Sequence, residues 1–290
     1  AKMTESRPIN NLSTALAGMA AGVRVSSNKN APGDSEATKI QVRGQGTLNN
    51  SSPLVIIDGV EGSLNQLSPN EVESMSVLKD AASAAIYGSR AANGVILVTT
   101  KKGKKDAGVK FDYNGYLSID RPTKLPKTVS DYATYMELIN EAYKNNGQAW
   151  PYQDEDGNGI ADKVELWRAN PNDPINYPNT DPFEVLFGNT RVSQQHSFAV
   201  SGGNDKVTHY TSFTFLNNPG VVENTDYERY SLRSNIDLNI EKWFRAGTNL
   251  SGYYGSRNIH ANSLDDVFNF ARQTSPAVLH RHPDGRYGAT

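Results

Sequence analysis

The chain has 290 residues, a net charge of −2, a pI of about 6.3 and a mean hydropathy of −0.58. This balance gives no field for a nucleic-acid backbone. No apolar run reaches the roughly 18 residues of a membrane-spanning helix, but alternating β-barrel strands keep mean hydropathy low, so a barrel stays open. Cysteine is absent, which removes disulfides and thiol chemistry.

The first residues, Ala1-Lys2-Met3-Thr4-Glu5, lack the apolar stretch of a signal peptide. The last, His282 to Gly288, stop in mid-loop. The expectation is a piece of a longer chain. Ile9, Leu12 and Leu16 space a short helix over 9–18, ending at Gly18. Val23–Val25 and Ile40–Gly44 read as brief strands, followed by a Gly/Asn/Ser loop up to Pro53. Gly44-Gln45-Gly46 lacks the third glycine and the helix of a phosphate-binding loop.

Leu54–Ile57 is an apolar run closed by the turn Asp58-Gly59. Val72–Leu78 suits a strand. Asp80 is placed to cap a helix over Ala81–Tyr87, and Gly88 to stop it. Asn93-Gly94 turns into Val95–Thr100, β-branched almost throughout. Residues up to 103 thus predict a small α/β unit of four or five short strands.

Beyond the basic link Lys101–Lys105 the pattern changes to strict alternation. Phe111, Tyr113, Leu117 and Ile119 face opposite to Asp112, Asn114 and Ser118. Phe198 and Val200 oppose Ser197 and Ser201. Val207, Phe213 and Phe215 oppose Thr208, Ser212 and Thr214. Tyr230, Leu232, Ile236, Leu238 and Ile240 oppose Ser231, Arg233, Asn235, Asp237 and Asn239. Phe244, Ala246, Leu250 and Tyr254 oppose Arg245, Asn249 and Ser251. Each segment is about ten residues, enough for a tilted strand to cross a bilayer core. A soluble antiparallel sheet with one wet face gives the same period. Connection lengths separate the two. Gly202–Asp205 and Glu241-Lys242-Trp243 are tight, whereas 120–190, 217–228 and the stretch after 256 are long. Short and long links alternate as in an outer-membrane barrel, which puts the long ones outside the cell.

The long insertion holds a helix through Asn145, capped by Thr128 or Ser130, striped by Tyr132, Tyr135, Met136, Ile139 and Tyr143, and stopped at Gly147. After it, Asp154 to Glu165 fits the D-x-[DN]-x-[DN]-G-x5-E calcium loop at every position. Asp154, Asp156 and Asn158 would converge on one hard cation. Gly159 makes the sharp turn, the carbonyl of Ile160 adds an oxygen, Asp162 reaches directly or through water, and Glu165 binds with both oxygens. The plainer reading is a solvated acidic loop whose Glu165 belongs to the next helix, Asp162–Ala169. The spacing favours Ca²⁺ in an isolated structural loop, since Trp150-Pro151-Tyr152 separates it from the preceding helix. The five histidines are scattered. Asp58 reads as a turn former, and Lys79, Asp80 and Arg90 as solvated, or as partners of a surrounding wall. No nucleophile–base pair, paired catalytic carboxylates or zinc spacing stands out, so no enzyme is expected.

Several strings occur in order: GMAAGVRV, the Arg43-Gly44 strand, PLVIIDGV, VLKDAASAAIYGSRAANGVILVTTKKG, then AVSGGND and DYERY. Together they resemble the SusC-like branch of TonB-dependent outer-membrane transporters. The resemblance implies an α+β plug domain with a small mixed sheet and short helices over 1–106. The N-terminal part of an antiparallel transmembrane β-barrel follows over 107–290, with the outer insertion at about 120–190. Five wall strands cannot close a barrel of about 22. It also implies import of a large nutrient, a glycan oligosaccharide before a peptide, across the outer membrane of a Bacteroidetes-type bacterium. The implied partners are a SusD-like surface lipoprotein, the TonB complex and outer-membrane lipid, with no nucleic acid. By topology, cargo is expected at the plug apex near Asn49–Ser52 and Glu61–Leu64. The alternative is a soluble secreted calcium-bearing carbohydrate-binding module.

Overall fold

The computed structural model describes residues 12–16, 22–27, 38–42, 52–260, 263–282 and 284–288. It divides into two compact units. One holds residues 1–120, 191–220 and 224–259, and the other 121–190, 221–223 and 260–290.

In the first unit, α1 (Leu12–Ala15) precedes an antiparallel ribbon of β1 (Val23–Ser27) and β2 (Thr38–Val42). The rest of the 9–18 helix, Arg43-Gly44 and Asn49–Ser51 lie outside the described residues. A mixed four-stranded sheet follows, built from β3 (Leu54–Ile57), β4 (Val60–Glu61), β5 (Val72–Leu78) and β6 (Val95–Thr100), in the order β4-β3-β6-β5. Among the described residues, the six strands in two sheets exceed the four or five expected. β3 and β6 are parallel. Parallel strands covered on both faces read as continuous apolar runs, which is what LVII and VILV are. Leu12, Leu16, Leu64, Leu67, Ile96 and Val98 make one core, and Ile56, Ala84, Ala91 and Val95 the other. Gly94 has φ +93°, and a Cβ there would meet Val42 at 2.9 Å.

The helix expected over Ala81–Tyr87 is shorter. α2 spans Ala81–Ala84, and 3₁₀ turns carry the chain to Ala91 across a kink at Gly88. Asp80 sits at the N-cap position without a side-chain cap bond; Ser83 Oγ instead donates to its carbonyl.

The same unit continues as a five-stranded antiparallel sheet. Its strands are β7 (Ala107–Asp120), β8 (Arg191–Gly203), β9 (Val207–Pro219), β10 (Asp226–Glu241) and β11 (Phe244–Asn258), paired in sequence order. They run thirteen to sixteen residues, longer than the alternation marked, so the connection expected over 217–228 shrinks to 220–225. The register aligns the expected faces across all five strands. Tyr113, Phe198, Phe213 and Leu232 share one row, and Asp112, Ala199, Ser212, Arg233 and Ser251 the row on the opposite face.

The second unit carries α3 (Tyr132–Asn145), α4 (Asp162–Ala169), α5 (Pro182–Phe187) and α6 (Leu264–Gln273). The cap of α3 is Asp131, not Thr128 or Ser130: its carboxylate accepts the Thr134 N–H, while the Thr128 hydroxyl donates to Asp181. Of the expected stripe Met136 is buried, Tyr132, Tyr135 and Ile139 are half-buried and Tyr143 is exposed, while Ala133 and Asn140 complete the buried face. Ala133 and Met136 pack with Ala161 and Val164 beside Tyr132, Tyr152 and Trp167. Phe183, Phe187, Val222 and Ala271 form a separate cluster.

Candidate functional site

The five-stranded sheet is built inside out. Its apolar face is open: Phe111 is 77 % exposed, Phe198 52 %, Leu232 49 % and Leu250 63 %. Its polar face is buried across the three central strands, with Arg229 at 3 %, Arg233 at 5 % and Asn235 at 1 %. A wet-faced soluble sheet would bury the first set and expose the second. A sheet with lipid on one side and a packed lumen on the other does what is seen here. Aromatic residues mark its rims. Trp243 and Phe244 meet at a tilt at the β10–β11 turn, and far above it Phe215 stacks on His196 and meets Tyr230 at a tilt in one row.

What buries the polar face is the α/β domain, and the joint is charged. Arg233 Nε lies 3.1 Å from Glu71 Oε2 and its Nη1 3.8 Å from Asp58 Oδ2. All three side chains are nearly sealed from solvent. Glu71 ends a single 3₁₀ turn, Pro69–Glu71, which leads into β5. Burial raises the Glu71 carboxyl above its ordinary value of 4.5, and the guanidinium of Arg233, then that of Arg229, opposes the rise.

Asp58 does more than turn the chain. Its φ is +50°, as a turn requires, and its carboxylate accepts the Thr100 N–H at 2.9 Å and the Thr100 hydroxyl at 2.5 Å. Asn235 Nδ2 donates to Thr100 Oγ1 and to the Lys101 carbonyl, both at 2.9 Å. Arg229 Nη1 donates to the Asn65 carbonyl at 2.6 Å. Lys102 pairs with Asp237 at 3.3 Å, and Gly103 lies so flat on the sheet that a Cβ would meet the His209 carbonyl oxygen at 2.4 Å. The end of β6 and the link after it are thus clamped to β9 and β10. Gln195 Oε1, Ser231 Oγ and Asn235 Oδ1 are buried there without a partner among the described residues. Each such group costs about 1–3 kcal/mol. The joint is specific but is not packed like a core. Arg90, the other expected wall partner, pairs instead with Glu61 inside the α/β domain.

Arg233 and Glu71 were not singled out in the sequence as a pair. The only local signal is the polar face of 229–240, on which Arg229 and Arg233 stand with Ser231, Asn235 and Asp237. Nothing local links them to a glutamate 162 positions away.

In the second unit the acidic loop brings three of its carboxylates together. Carboxylate oxygens of Asp154, Asp156 and Asp162 lie within 4.8 Å of one another. The Asp154 carboxylate accepts N–H bonds from Gly157, Asn158 and Gly159, with Gly159 at φ +90°. The Gly159 bond leads in holding it below the usual carboxylate range. Asn158 Nδ2 donates to Asp156 and to Glu165, both at 3.0 Å, and Asp162 opens α4. The Ile160 N–H turns to Asn158 Oδ1. An all-oxygen set of this kind fits a hard cation such as Ca²⁺.

Comparison with known proteins agrees with this architecture. Residues 1–95 match the model of the TonB-dependent receptor plug domain. TonB-dependent receptor P26 of Formosa agariphila is 35% identical over 254 residues, covering 85% of this chain and 23% of that protein. TonB-dependent receptor SusC of Bacteroides thetaiotaomicron is 32% identical over 232 residues, 76% of this chain and 20% of that protein. The RagAB peptide importer in its closed-closed state superposes with a TM-score of 0.70 at 28% identity, over 90% of this chain and 30% of that one. The chain thus spans about a quarter of the curated relatives it matches. The plug match, the relatives and the inside-out sheet lead to one assignment: this chain is the plug and opening wall strands of a SusC-like TonB-dependent receptor, a family of the outer membrane.

Proposed function

We propose that the parent protein imports a large nutrient across the outer membrane, with residues 1–106 as the plug that gates the lumen and 107–290 opening the wall. The observation that carries this reading is the buried Arg233–Glu71 pair beneath an exposed apolar face. A sealing domain needs a joint that holds at rest and separates without exposing a hydrophobic core, and a polar seam meets both needs. A TonB complex would supply the force, and a SusD-like lipoprotein would cover the outer mouth. The cargo we infer is a glycan oligosaccharide, as for the SusC-like branch in general. The fit to a peptide importer supports a peptide as the second reading. A soluble carbohydrate-binding module does not suit a sheet whose apolar face is open. The test is deletion of the parent gene and growth on a panel of single glycans and of peptides. Loss of growth on one class, restored by the intact gene but not in a strain lacking TonB, is expected; unchanged growth on every member rejects import.

We also infer a structural Ca²⁺ in the 154–165 loop, held by Asp154, Asp156, Asn158, Asp162, Glu165 and the carbonyl of Ile160. Its role would be to fold the acidic loop onto the start of α4. Calorimetry with Ca²⁺ on the parent receptor tests it, and absence of heat there rejects it.

A further inference from the structure

The exposed face of the wall carries a notch. Gly252 on β11 stands opposite Leu232 on β10, between Leu250 and Tyr254 of its own strand. Large side chains thus surround a position that has none, and open space lies where its Cβ would be. The result is a groove of about 320 Å³ walled by Phe213, Tyr230, Leu232, Leu250 and Tyr254. All five are exposed, on the same face as Phe198. Ser231, Ser251 and Tyr253 also border the groove, but strand alternation turns their side chains to the opposite face, so they contribute main chain. Away from the tight β10–β11 turn the chemistry changes in one step. Tyr230 and Tyr254 pair at the top of the groove. The next row on that face is Asn217, Glu228 and Ser256, and the one after it holds Asp226 and Asn258. The Glu228 carboxylate accepts from Asn217 Nδ2 at 2.9 Å, and that of Asp226 from Asn258 Nδ2 at 2.8 Å. On β9–β11 these two rows carry carboxylates and no cation.

We propose that this groove seats one acyl chain of a lipid with an ammonium headgroup, of the phosphatidylethanolamine type, and that Glu228 and Asp226 receive the ammonium. The groove is continuous with the lipid-facing surface of the wall, so a chain enters it sideways from the bilayer. Its walls are hydrocarbon and aromatic ring, which suit an acyl chain. The rings of Tyr230 and Tyr254 stand where the aromatic residues of a barrel meet the membrane boundary. Their hydroxyls then lie at the level of the glycerol esters, and the row beyond lies among headgroups. Glu228 is two residues past Tyr230, roughly 7 Å along the strand, a span that a phosphoethanolamine group bridges. Carboxylates at that level attract an ammonium and repel an anionic headgroup, the reverse of a basic rim. The missing side chain at Gly252 thus makes room for the chain, and the acidic row selects the head. The site does not depend on what the receptor imports.

The test uses the whole receptor, purified and returned to bilayers that contain a diazirine-tailed phosphatidylethanolamine or its phosphatidylglycerol counterpart. After illumination the cross-linked peptides are mapped. The ethanolamine lipid is expected to mark residues 226–258 about three to five times more than the glycerol lipid, the advantage that one exposed charge pair gives. Gly252→Phe places a ring in the open space and is expected to lose most of the marking with both lipids. Leu250→Ala, which removes one wall, is expected to lower it as well and serves if Gly252→Phe fails to insert. Asp226→Asn combined with Glu228→Gln is expected to keep the marking and to equalise the two lipids. Equal marking in the parent and the groove variants overturns the proposal. So does a preference for the glycerol lipid, or stronger competition from unlabelled lipid A than from unlabelled phosphatidylethanolamine.

Discussion

Glu71 and Arg233 stand 162 positions apart in the chain and 3.1 Å apart in space, and both are sealed from solvent. Their pairing joins the plug to a strand whose other face is exposed. An ion pair in such a place is costly to break from one side, because the survivor keeps its charge and loses its partner. Arg233→Met is therefore expected to loosen the plug by about 3–5 kcal/mol. Arg233→Met combined with Glu71→Gln should recover much of that loss. Hydrogen exchange of β5 amides in the intact receptor measures both; equal protection in parent and single variant would contradict the account.

The same pair predicts a pH response. The Glu71 carboxyl is raised above 4.5 by burial, against the opposing charges of Arg233 and Arg229, with Asp58 on the far side of Arg233. Its protonated form is therefore favoured when the plug is docked. The contribution from this group is whole below 4.5 and is lost as pH rises through the raised value. Amide protection at the seam should accordingly fall with rising pH in that window. Glu71→Gln should flatten the curve; an identical profile in the variant would remove Glu71 as the cause.

Asp58 combines a backbone demand with a side-chain one. Asn tolerates the left-handed φ of +50°, so Asp58→Asn keeps the β3–β4 turn but weakens the double bond to Thr100. Asp58→Ala loses both. The expected cost of Asp58→Ala is about 1–3 kcal/mol, with the Asn variant between it and the parent. Thermal unfolding of the plug signal ranks the three. If the Asn variant matched the parent, the turn conformation alone would matter.

Gly103 lets the link lie on the wall. With Ala the new Cβ would stand 2.4 Å from the His209 carbonyl oxygen and 2.7 Å from that of Gly202, both backbone atoms that cannot swing aside. Gly103→Ala should cost about 1–3 kcal/mol of plug seating, whereas Gly108→Ala, with open space around it, should cost little. Protease sensitivity of the 101–106 link is the readout, and similar cleavage of both variants would discount the close approach.

In the insertion between β7 and β8, Asp154 gathers three backbone N–H groups and stands with Asp156 and Asp162. Asp154→Ala and Glu165→Gln are expected to abolish and to weaken Ca²⁺ heat respectively, with protease sensitivity of 150–170 rising in chelator for the parent alone. Unaltered heat in Asp154→Ala would move the ion elsewhere.

Much of this was readable from the chain because it is set locally. Side chains on a strand alternate by geometry, so Tyr230/Ser231 through Leu238/Asn239 had to present two unlike faces wherever the strand went. Gly202–Asp205 and Glu241–Trp243 could only be tight. The tight loop around Gly159 is local too, and it brings the carboxylates of Asp154, Asp156 and Asp162 together. Local competition already limited this reading at Asp131, which took the cap from Thr128 once Asp181 engaged the Thr128 hydroxyl. What the chain could not decide alone was which face of the wall is inside. That depends on what covers it, and the plug covers the polar one. Nor could it reveal that Asp58, a plain turn residue in sequence, would face Thr100 and Arg233, or that Glu71 would meet Arg233. Those contacts arise only when distant segments are packed and solvent is excluded, since burial turns ordinary surface charges into a joint.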